Sequence, residues 1–415
     1  MIYGSLKAYG GALLFFLCVA VIAGCGGGGG GGNGTPAPSG GGGGADRTNN
    51  VVAVSVNGSL CLQNGSYFNE PCVSVTVCTP GTSNCHTISG ILLDTGSYGL
   101  RIFKSALNGL PLAQETSASG GELAECQQFV DGSSDWGPVQ VAQIILGGEP
   151  GVTVPIQVID STFTGGNNCP GTPDTLPSQA GFNGILGVGP LVHDCGITCA
   201  SYATGIYWSC NPNTGACAQT AVPLSNQVRN PVASLPKDNN GILVELPEVA
   251  PGGTSSINGS LVLGIGTEPN NTPGAVRTFP LDASGDFTTS FNGASLTSSF
   301  VDTGSNGLFF PDKDKAITVC SGHPSWYCPT STQNLSATQE GASGAPRTTN
   351  TVNFQIGDFD KLTSNTSNAV FLEIGGPEMD SDAFDWGIPF YFGRYVFMGI
   401  EGTNSPLGTG PYFAY

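Results

Sequence analysis

Residues 91–102 read ILLDTGSYGLRI, and residues 299–310 read SFVDTGSNGLFF. Each stretch is an apolar run that ends in Asp-Thr-Gly-Ser and continues through Gly-Leu into a further pair of residues. An apolar run of this length predicts a buried strand, and the Gly of the motif predicts a sharp turn at its end. In each copy the strand would therefore hold one carboxyl group, that of Asp94 or Asp302, on a rigid platform.

A second pattern follows each copy at a similar distance. Residues 182–189 read FNGILGVG, and Gly187 in this stretch lies 93 residues after Asp94. Gly387 lies 85 residues after Asp302 and leads into a second apolar run. The same two signals in the same order predict a duplicated structural unit. A strand that ends in Gly can pass close beneath the turn, because Gly has no side chain to obstruct it.

Two such units facing each other would place Asp94 and Asp302 side by side. Two carboxyl groups about 3 Å apart cannot both ionise, so they share one proton. One group can then accept a proton from water while the other polarises or protonates a carbonyl oxygen. The pair therefore predicts general acid–base hydrolysis of an amide, with no metal, no cofactor and no covalent intermediate.

The composition favours strands and excludes some partners. Charged residues make up 10% of the 415 residues, hydrophobic residues 39%, and Gly alone accounts for 64. Abundant Gly, Thr, Ser, Val and Asn favour strands and turns over helices. The net charge is −18, which repels phosphate backbones and makes nucleic acid an unfavourable partner. Three His residues leave little material for a metal site.

The N-terminal residues 1–24 read as a secretion signal, with Lys7 in a short head and an apolar stretch too short to span a membrane comfortably. Residues 21–25 read VIAGC and resemble the lipobox of bacterial lipoproteins, in which Cys25 would receive the diacylglyceryl group. An ordinary cleaved signal with an incidental Cys is the alternative.

Residues 25–50 follow as a predicted flexible linker. Thirteen of the twenty residues 26–45 are Gly, so the segment can bury nothing and would act as a tether about 25 Å long. The lipoprotein resemblance implies a lipid anchor, palmitate included, in the bacterial envelope. Gly26 directly after the Cys implies sorting to the outer membrane, at its periplasmic face or at the cell surface.

Cysteine usage fits an oxidising compartment. Fourteen Cys, less one in the signal and one at the lipid site, leave twelve, which is an even number. A four-Cys zinc site between residues 195 and 217 is the alternative, but its spacings differ from those of zinc ribbons. The predicted disulfides are the local pairs Cys61/Cys72, Cys78/Cys85, Cys195/Cys199, Cys210/Cys217 and Cys320/Cys328, with Cys126/Cys169 as the remaining pair.

The duplicated Asp-Thr-Gly-Ser motif, each copy followed by its own apolar strand ending in Gly, resembles the pepsin-like aspartic peptidase family. The likeness covers about residues 51–415. It implies an all-β, bilobal double β-barrel with duplicated lobes and a cleft between them. The implied N-terminal lobe is 51–268, with a Cys-rich insertion at 193–217 that has no counterpart in the family, and the C-terminal lobe is 269–415.

The resemblance also implies roles for the motif residues. Asp94 and Asp302 would be the catalytic pair, and each turn would supply groups that support its carboxyl. The implied supporting residues are Thr95 and Thr303 as cross-braces, Gly96 and Gly304 as backbone amide donors, and Ser97 and Ser305 as hydroxyl donors.

The sequence departs from the family at the flap, a hairpin that closes over the substrate and carries a Tyr. The corresponding stretch, 128–137, has Phe129 in the Tyr position, and Arg101 replaces the Trp that partners that Tyr. A different closure is implied, with Phe129, Gly132 and Trp136 as the flap candidates. The Asp that follows the last strand Gly in the family is Ile388 here.

The predicted function is that of a membrane-tethered aspartic endopeptidase in which water is activated between Asp94 and Asp302. Its partners would be a peptide or protein substrate and the membrane, with no metal and no cofactor. The alternatives are a catalytically silent binding module and a structural envelope lipoprotein with the same fold. The sequence has no Gly-x-Ser-x-Gly and no His-Glu-x-x-His motif, so it offers no sign of a serine hydrolase or zinc protease of those types.

Overall fold

A computed structural model describes residues 49–62, 67–165, 169–344 and 347–415. The predicted signal, the lipid site Cys25 and the linker up to residue 48 lie outside these ranges. The described residues form mostly strands with three short α-helices, which confirms the all-β class. Within the same ranges, no helix combines the length and the apolar character that crossing a membrane would require.

The first part of the chain contains fourteen strands and two of the helices. The strands are β1 (Val51–Val56), β2 (Pro71–Cys78), β3 (Cys85–Asp94), β4 (Tyr98–Phe103), β5 (Ala113–Gln114), β6 (Glu122–Gln128), β7 (Ser133–Ile145), β8 (Val152–Ile159), β9 (Thr172–Pro173), β10 (Gly184–Val188), β11 (Tyr207–Cys210), β12 (Cys217–Gln219), β13 (Gly241–Glu245) and β14 (Ile257–Leu263), and the helices are α1 (Pro177–Ala180) and α2 (Gly196–Ser201).

The second part contains twelve strands and one helix. They are β15 (Thr278–Pro280), β16 (Phe287–Phe291), β17 (Ala294–Asp302), β18 (Leu308–Phe310), β19 (Gln333–Gly344), β20 (Arg347–Ile356), α3 (Phe359–Thr363), β21 (Gly375–Pro377), β22 (Asp385–Gly387), β23 (Tyr395–Gly399), β24 (Asn404–Ser405), β25 (Gly408–Thr409) and β26 (Tyr412–Ala414).

Six strands of the first part close into a barrel. They pair in the order β2, β3, β10, β4, β8 and β7, and β7 returns to β2. Successive residues of β3 point to opposite faces, so Leu93 joins the large core cluster while Leu92 joins a second cluster on the other side. Burying a side chain of this size stabilises the fold by about 1.5–3 kcal/mol.

The second part contains a half-barrel, the open sheet with strand order β20, β19, β16, β17, β22, β18, β21. In the part of the chain that the structure describes, its two end strands do not pair with each other. Aromatic rings pack together in its core: Phe384 stacks on Trp386 with ring centroids 4.1 Å apart and on Phe310 at 5.1 Å. Such ring pairs add about 0.5–1.5 kcal/mol each beyond the area that they bury.

A further set of strands joins the two parts. It runs β1, β14, β13, β23, β26, β15, with antiparallel pairing at every step. The central pair, β13 and β23, joins a strand of the first part to one near the C-terminus through five aligned residue pairs. Through the pairing of β1 with β2, main-chain hydrogen bonds connect the barrel sheet to strands near the C-terminus, while the half-barrel forms a separate sheet.

Twelve Cys residues form six disulfides, as predicted. The bonded pairs are Cys61–Cys72, Cys78–Cys85, Cys126–Cys169, Cys195–Cys199, Cys210–Cys217 and Cys320–Cys328. All four cysteines between residues 195 and 217 are used in this way, so this cluster has no free thiolates for zinc.

Candidate active site

Each Asp-Thr-Gly-Ser turn begins where a buried strand ends. Asp94 is the last residue of β3 and lies opposite Gly187 of the parallel strand β10. Asp302 is the last residue of β17 and lies opposite Gly387 of the parallel strand β22. A Cβ atom at either glycine would collide with the backbone of the same unit. The predicted close passage of a Gly-ended strand beneath each turn is therefore present in both copies.

The two turns bring Asp94 and Asp302 together. The backbone N–H of Gly96 donates to Oδ1 of Asp94 at 2.8 Å and to Oδ1 of Asp302 at 3.1 Å. The Gly96 N–H therefore bridges the two carboxyl groups. Both residues have an exposed fraction of 0%. Burial raises the pKa of Asp302 well above its usual range, and the charge of Asp94 acts in the same direction.

The outer oxygens of the pair accept hydroxyl groups from their own turns. Ser97 Oγ donates to Oδ2 of Asp94 at 2.5 Å, and Ser305 Oγ donates to Oδ2 of Asp302 at 2.8 Å. The Gly304 N–H donates to Oδ1 of Asp302 at 2.7 Å. These donors favour the ionised form, so they oppose the effect of burial on the pKa of Asp302.

The two threonines connect the turns in a reciprocal way. The Thr303 N–H donates to Oγ1 of Thr95 at 3.0 Å, and the Thr95 N–H donates to Oγ1 of Thr303 at 3.1 Å. Oγ1 of Thr303 donates to the Leu93 carbonyl at 2.7 Å, and Oγ1 of Thr95 lies 3.2 Å from the Val301 carbonyl. Each turn is thereby held by the strand that carries the other.

Two of the flap candidates, Phe129 and Gly132, lie in a turn between β6 and β7. The N–H of Gly132 donates to the Phe129 carbonyl at 3.0 Å, and Gly132 has φ 83°, the left-handed region that Gly occupies without strain. The Phe129 ring is buried in the cluster that contains Phe182 and Ile185. Next to it, Val130 packs against an aromatic cluster of the second part of the chain.

The Trp136 ring is a core side chain of β7. It is buried, its indole N–H donates to the Phe163 carbonyl at 3.2 Å, and it meets the Trp208 ring edge to face at 6.1 Å. Trp136 therefore joins β7 to the Cys-rich insertion.

Arg101, which stands where the resemblance has a Trp, lies in a buried ion network. Its Nη2 donates to Oε1 of Glu125 at 2.6 Å and lies 3.4 Å from Oδ2 of Asp194 in the insertion. The Tyr207 hydroxyl donates to Asp194 at 2.7 Å. Burial, and then the charge of Glu125, raises the pKa of Asp194. Asp194 is buried, and Arg101 provides its counter-charge within the fold.

Three further side chains close to the pair were not predicted from the sequence. The Tyr391 hydroxyl lies 2.8 Å from Oγ1 of Thr95, and the Tyr67 hydroxyl donates to the Gly304 carbonyl at 3.0 Å. Asp385 is fully buried on β22, where the Ser305 hydroxyl interacts with its carboxyl group. Burial, followed by the charge of Asp302, raises the pKa of Asp385. Only Asp385 had a usable signal, an acidic residue two positions before the second strand Gly.

Two clusters in the described ranges have the composition of a metal site. One contains Cys61, Glu70 and Cys72, and the other contains Cys320, Cys328 and Asp360. In each, both cysteines are joined in a disulfide and offer no thiolate. Neither cluster supplies the ligand set that a structural zinc site needs.

Comparison with known proteins gives one match over most of the chain. The family model DUF3443, whose description is a protein of unknown function, matches residues 46–415. A search of curated proteins found no match to the chain.

Proposed function

The chain belongs to the DUF3443 family, and we propose that it is an aspartic-type endopeptidase with the two-lobed, pepsin-like architecture that its repeats imply. The observation that carries this proposal is the buried pair Asp94 and Asp302, with the Gly96 N–H bonded to both carboxyl groups. The closed barrel and the half-barrel, each carrying one Asp turn, are consistent with two lobes derived from one duplicated unit.

The proposed mechanism uses the single proton that the pair can hold. Burial and the neighbouring charge raise the pKa of Asp302, so the shared proton is assigned to Asp302. Asp94 accepts a proton from water as the water oxygen attacks the peptide carbonyl carbon, and Asp302 gives its proton to the carbonyl oxygen. The resulting diol collapses: one of its hydroxyl groups returns a proton to Asp302 as the C=O bond re-forms, the C–N bond breaks, and the leaving nitrogen takes the proton that Asp94 had accepted.

The proposed enzyme would bind a peptide substrate and would be anchored to a membrane. An extended peptide suits a cleft between β lobes, since such a cleft can bind a substrate as an added strand. The lipobox-like residues 21–25 and the Gly-rich segment after them support a lipid-anchored enzyme of the bacterial envelope, sorted to the outer membrane. The pair itself requires no metal or cofactor for this chemistry.

The decisive experiment replaces each carboxyl group by its amide. Asp94→Asn and Asp302→Asn should each lower kcat/KM for a peptide substrate by at least about 10²–10⁴-fold, because each removes one acid–base group. Asp382→Asn is the matched control, since it makes the same change at an exposed residue. Cleavage that persists unchanged in both variants would remove the pair from the mechanism.

Complete burial of the pair is the one observation that favours the alternative, a catalytically silent binding or structural envelope protein. A statine-containing peptide inhibitor separates the two, because its hydroxyl imitates the tetrahedral intermediate. The enzyme should bind this inhibitor and lose the binding in Asp94→Asn. Correct folding with neither cleavage nor inhibitor binding would support the silent protein.

A further inference from the structure

The buried pair cannot meet a substrate unless a covering group moves. Asp94 and Asp302 each have an exposed fraction of 0%, whereas the proposed reaction needs a peptide carbonyl in contact with both. This inference rests on the proposed function, and the side chain to which it points is Tyr67, whose hydroxyl is bound to the turn that carries Asp302.

Tyr67 lies across the site from one half of the molecule to the other. A Cβ atom at Gly181, just before β10, would lie 3.5 Å from Cδ2 of the Tyr67 ring. The hydroxyl at the far end of the ring donates to the Gly304 carbonyl at 3.0 Å, in the turn that carries Asp302. Burial raises the pKa of Tyr67, and nearby carboxyl groups, including both members of the pair, raise it further. The hydroxyl therefore stays neutral and remains a donor.

The backbone next to Tyr67 is fixed in the second half of the molecule. Asn69 is fully buried; its N–H donates to the Ala369 carbonyl at 2.9 Å, and its amide donates to the Asn306 and Phe371 carbonyls at 2.8 Å. The Phe371 N–H donates back to Oδ1 of Asn69 at 2.6 Å. The hydrogen bonds of Asn69 thus hold the backbone of this segment in place without any contribution from the Tyr67 ring.

The same segment is bound on its first-half side. Asn57 Nδ2 donates to the Tyr67 carbonyl at 2.5 Å, and the Glu70 N–H donates to Oδ1 of Asn57 at 3.0 Å. On the second-half side, Phe68 also packs edge-on against Phe371 at 5.7 Å. With the backbone held on both sides, rotation of the Tyr67 side chain is the smallest movement that uncovers the pair.

We propose that Tyr67 is an autoinhibitory latch whose hydroxyl occupies the Gly304 carbonyl and whose ring covers Asp94 and Asp302 until a substrate displaces it. A peptide N–H that replaces the hydroxyl at Gly304 would compensate for the lost hydrogen bond. Ligands then bind only the fraction of molecules in which the latch is open, so KM and inhibitor Kd are raised by the same factor while kcat is unaffected.

The test compares Tyr67→Phe, which removes only the hydroxyl, with the control Tyr202→Phe at a tyrosine that is 71% exposed. The loss of one net hydrogen bond should increase the open fraction about 2- to 12-fold. Tyr67→Phe should lower KM and the Kd of a statine-containing peptide by this factor and leave kcat unchanged. A fall in kcat instead would make Tyr67 part of the chemistry and would overturn the latch.

A labelling experiment tests the latch without relying on turnover. A small carboxyl-directed epoxide esterifies accessible carboxyl groups when a carboxylate oxygen opens its ring, and peptide mapping reports the labelling of Asp94 and Asp302. Labelling of the pair should be about 2- to 12-fold faster in Tyr67→Phe and faster still in Tyr67→Ala, relative to exposed Asp382. Unchanged labelling in both variants refutes the latch. Faster labelling in a protein that cleaves no peptide supports the latch and refutes the proposed function.

Discussion

The barrel and the half-barrel carry the same turn on frameworks that differ in closure. In the first, six strands return on themselves; in the second, the strand β21, which follows β18 at the sheet edge, has no partner on its other side among the described residues. Both nevertheless hold their Asp through the same contacts: a Gly of a parallel strand opposite, an N–H two residues on and a Ser hydroxyl three residues on. The geometry of the turn therefore depends on two strands and a glycine rather than on a closed barrel.

The two turns still differ in two respects. The Gly96 N–H donates to both carboxyl groups, while the corresponding Gly304 N–H donates to Asp302. Two residues before the strand Gly, β10 has Ile185 and β22 has Asp385. The second turn thus carries an additional buried acid. Substitutions in the two turns can separate the properties that both turns share from those that belong to only one of them.

The largest effect, a loss of peptide cleavage and of statine binding, is expected from Gly96→Ala. A Cβ atom at this position would lie 2.5 Å from Cγ of Asp302, so the two carboxyl groups must separate. Peptide cleavage and statine binding should both fall to the level of Asp302→Asn. Gly274→Ala is the control, because nothing lies within 4 Å of its added Cβ atom. Full activity in Gly96→Ala would mean that the close approach of Gly96 to Asp302 is not needed to align the pair.

A smaller effect, a difference in the free energy of unfolding, is expected between Thr95→Val and Thr303→Val. Oγ1 of Thr95 is within hydrogen-bonding distance of three groups, the third being the Tyr391 hydroxyl, whereas Oγ1 of Thr303 has two such partners. Each buried group left unpaired costs about 1–3 kcal/mol. Urea unfolding should therefore show a greater loss of stability in Thr95→Val.

The Tyr391 contact can be isolated by a double variant. Adding Tyr391→Phe to Thr95→Val removes the unpaired hydroxyl, so the double variant should unfold at a urea concentration close to that of Thr303→Val. Equal stability of the two single variants would show that the Tyr391 hydroxyl contributes nothing to the first turn.

The smallest effect is expected from Asp385→Asn, which should change how the melting temperature depends on pH. The pKa of Asp385 is raised by burial, so the folded state keeps a proton that the unfolded chain releases as the pH rises. The stability that this residue contributes is complete below its unfolded pKa and is lost as the pH rises toward its folded pKa. Melting temperatures from pH 4 to pH 8 should fall less steeply in Asp385→Asn than in the wild type. Parallel curves for the two proteins, with Asp382→Asn as a reference, would contradict this assignment.

The features predicted correctly from the sequence are those encoded by short, repeated patterns. An apolar strand followed by Asp-Thr-Gly-Ser contains both the platform and the bend, so the two turns and their approach to each other followed from the repeat. The six disulfides followed from an even number of Cys and from close spacing within most pairs. The Cys126–Cys169 pair followed only because these two residues remained.

The features that were missed depend on contacts between distant residues with no repeated pattern. Tyr67 and Gly304 are separated by 237 positions, and nothing near Tyr67 resembles a motif. The ion network of Arg101, Glu125 and Asp194 was missed because it brings together three separate segments of the chain. The open edge of the half-barrel was also hidden, since closure is decided by which strands meet in space.

The pairing of β13 with β23 determines what would happen if the gene were divided. A fragment ending near residue 268 would expose the full hydrogen-bonding edge of β13, and the complementary fragment would expose that of β23. Unprotected edges of this kind recruit other chains and lead to aggregation. Within the intact chain, each of these two strands covers the exposed edge of the other, so neither edge is open to a second molecule.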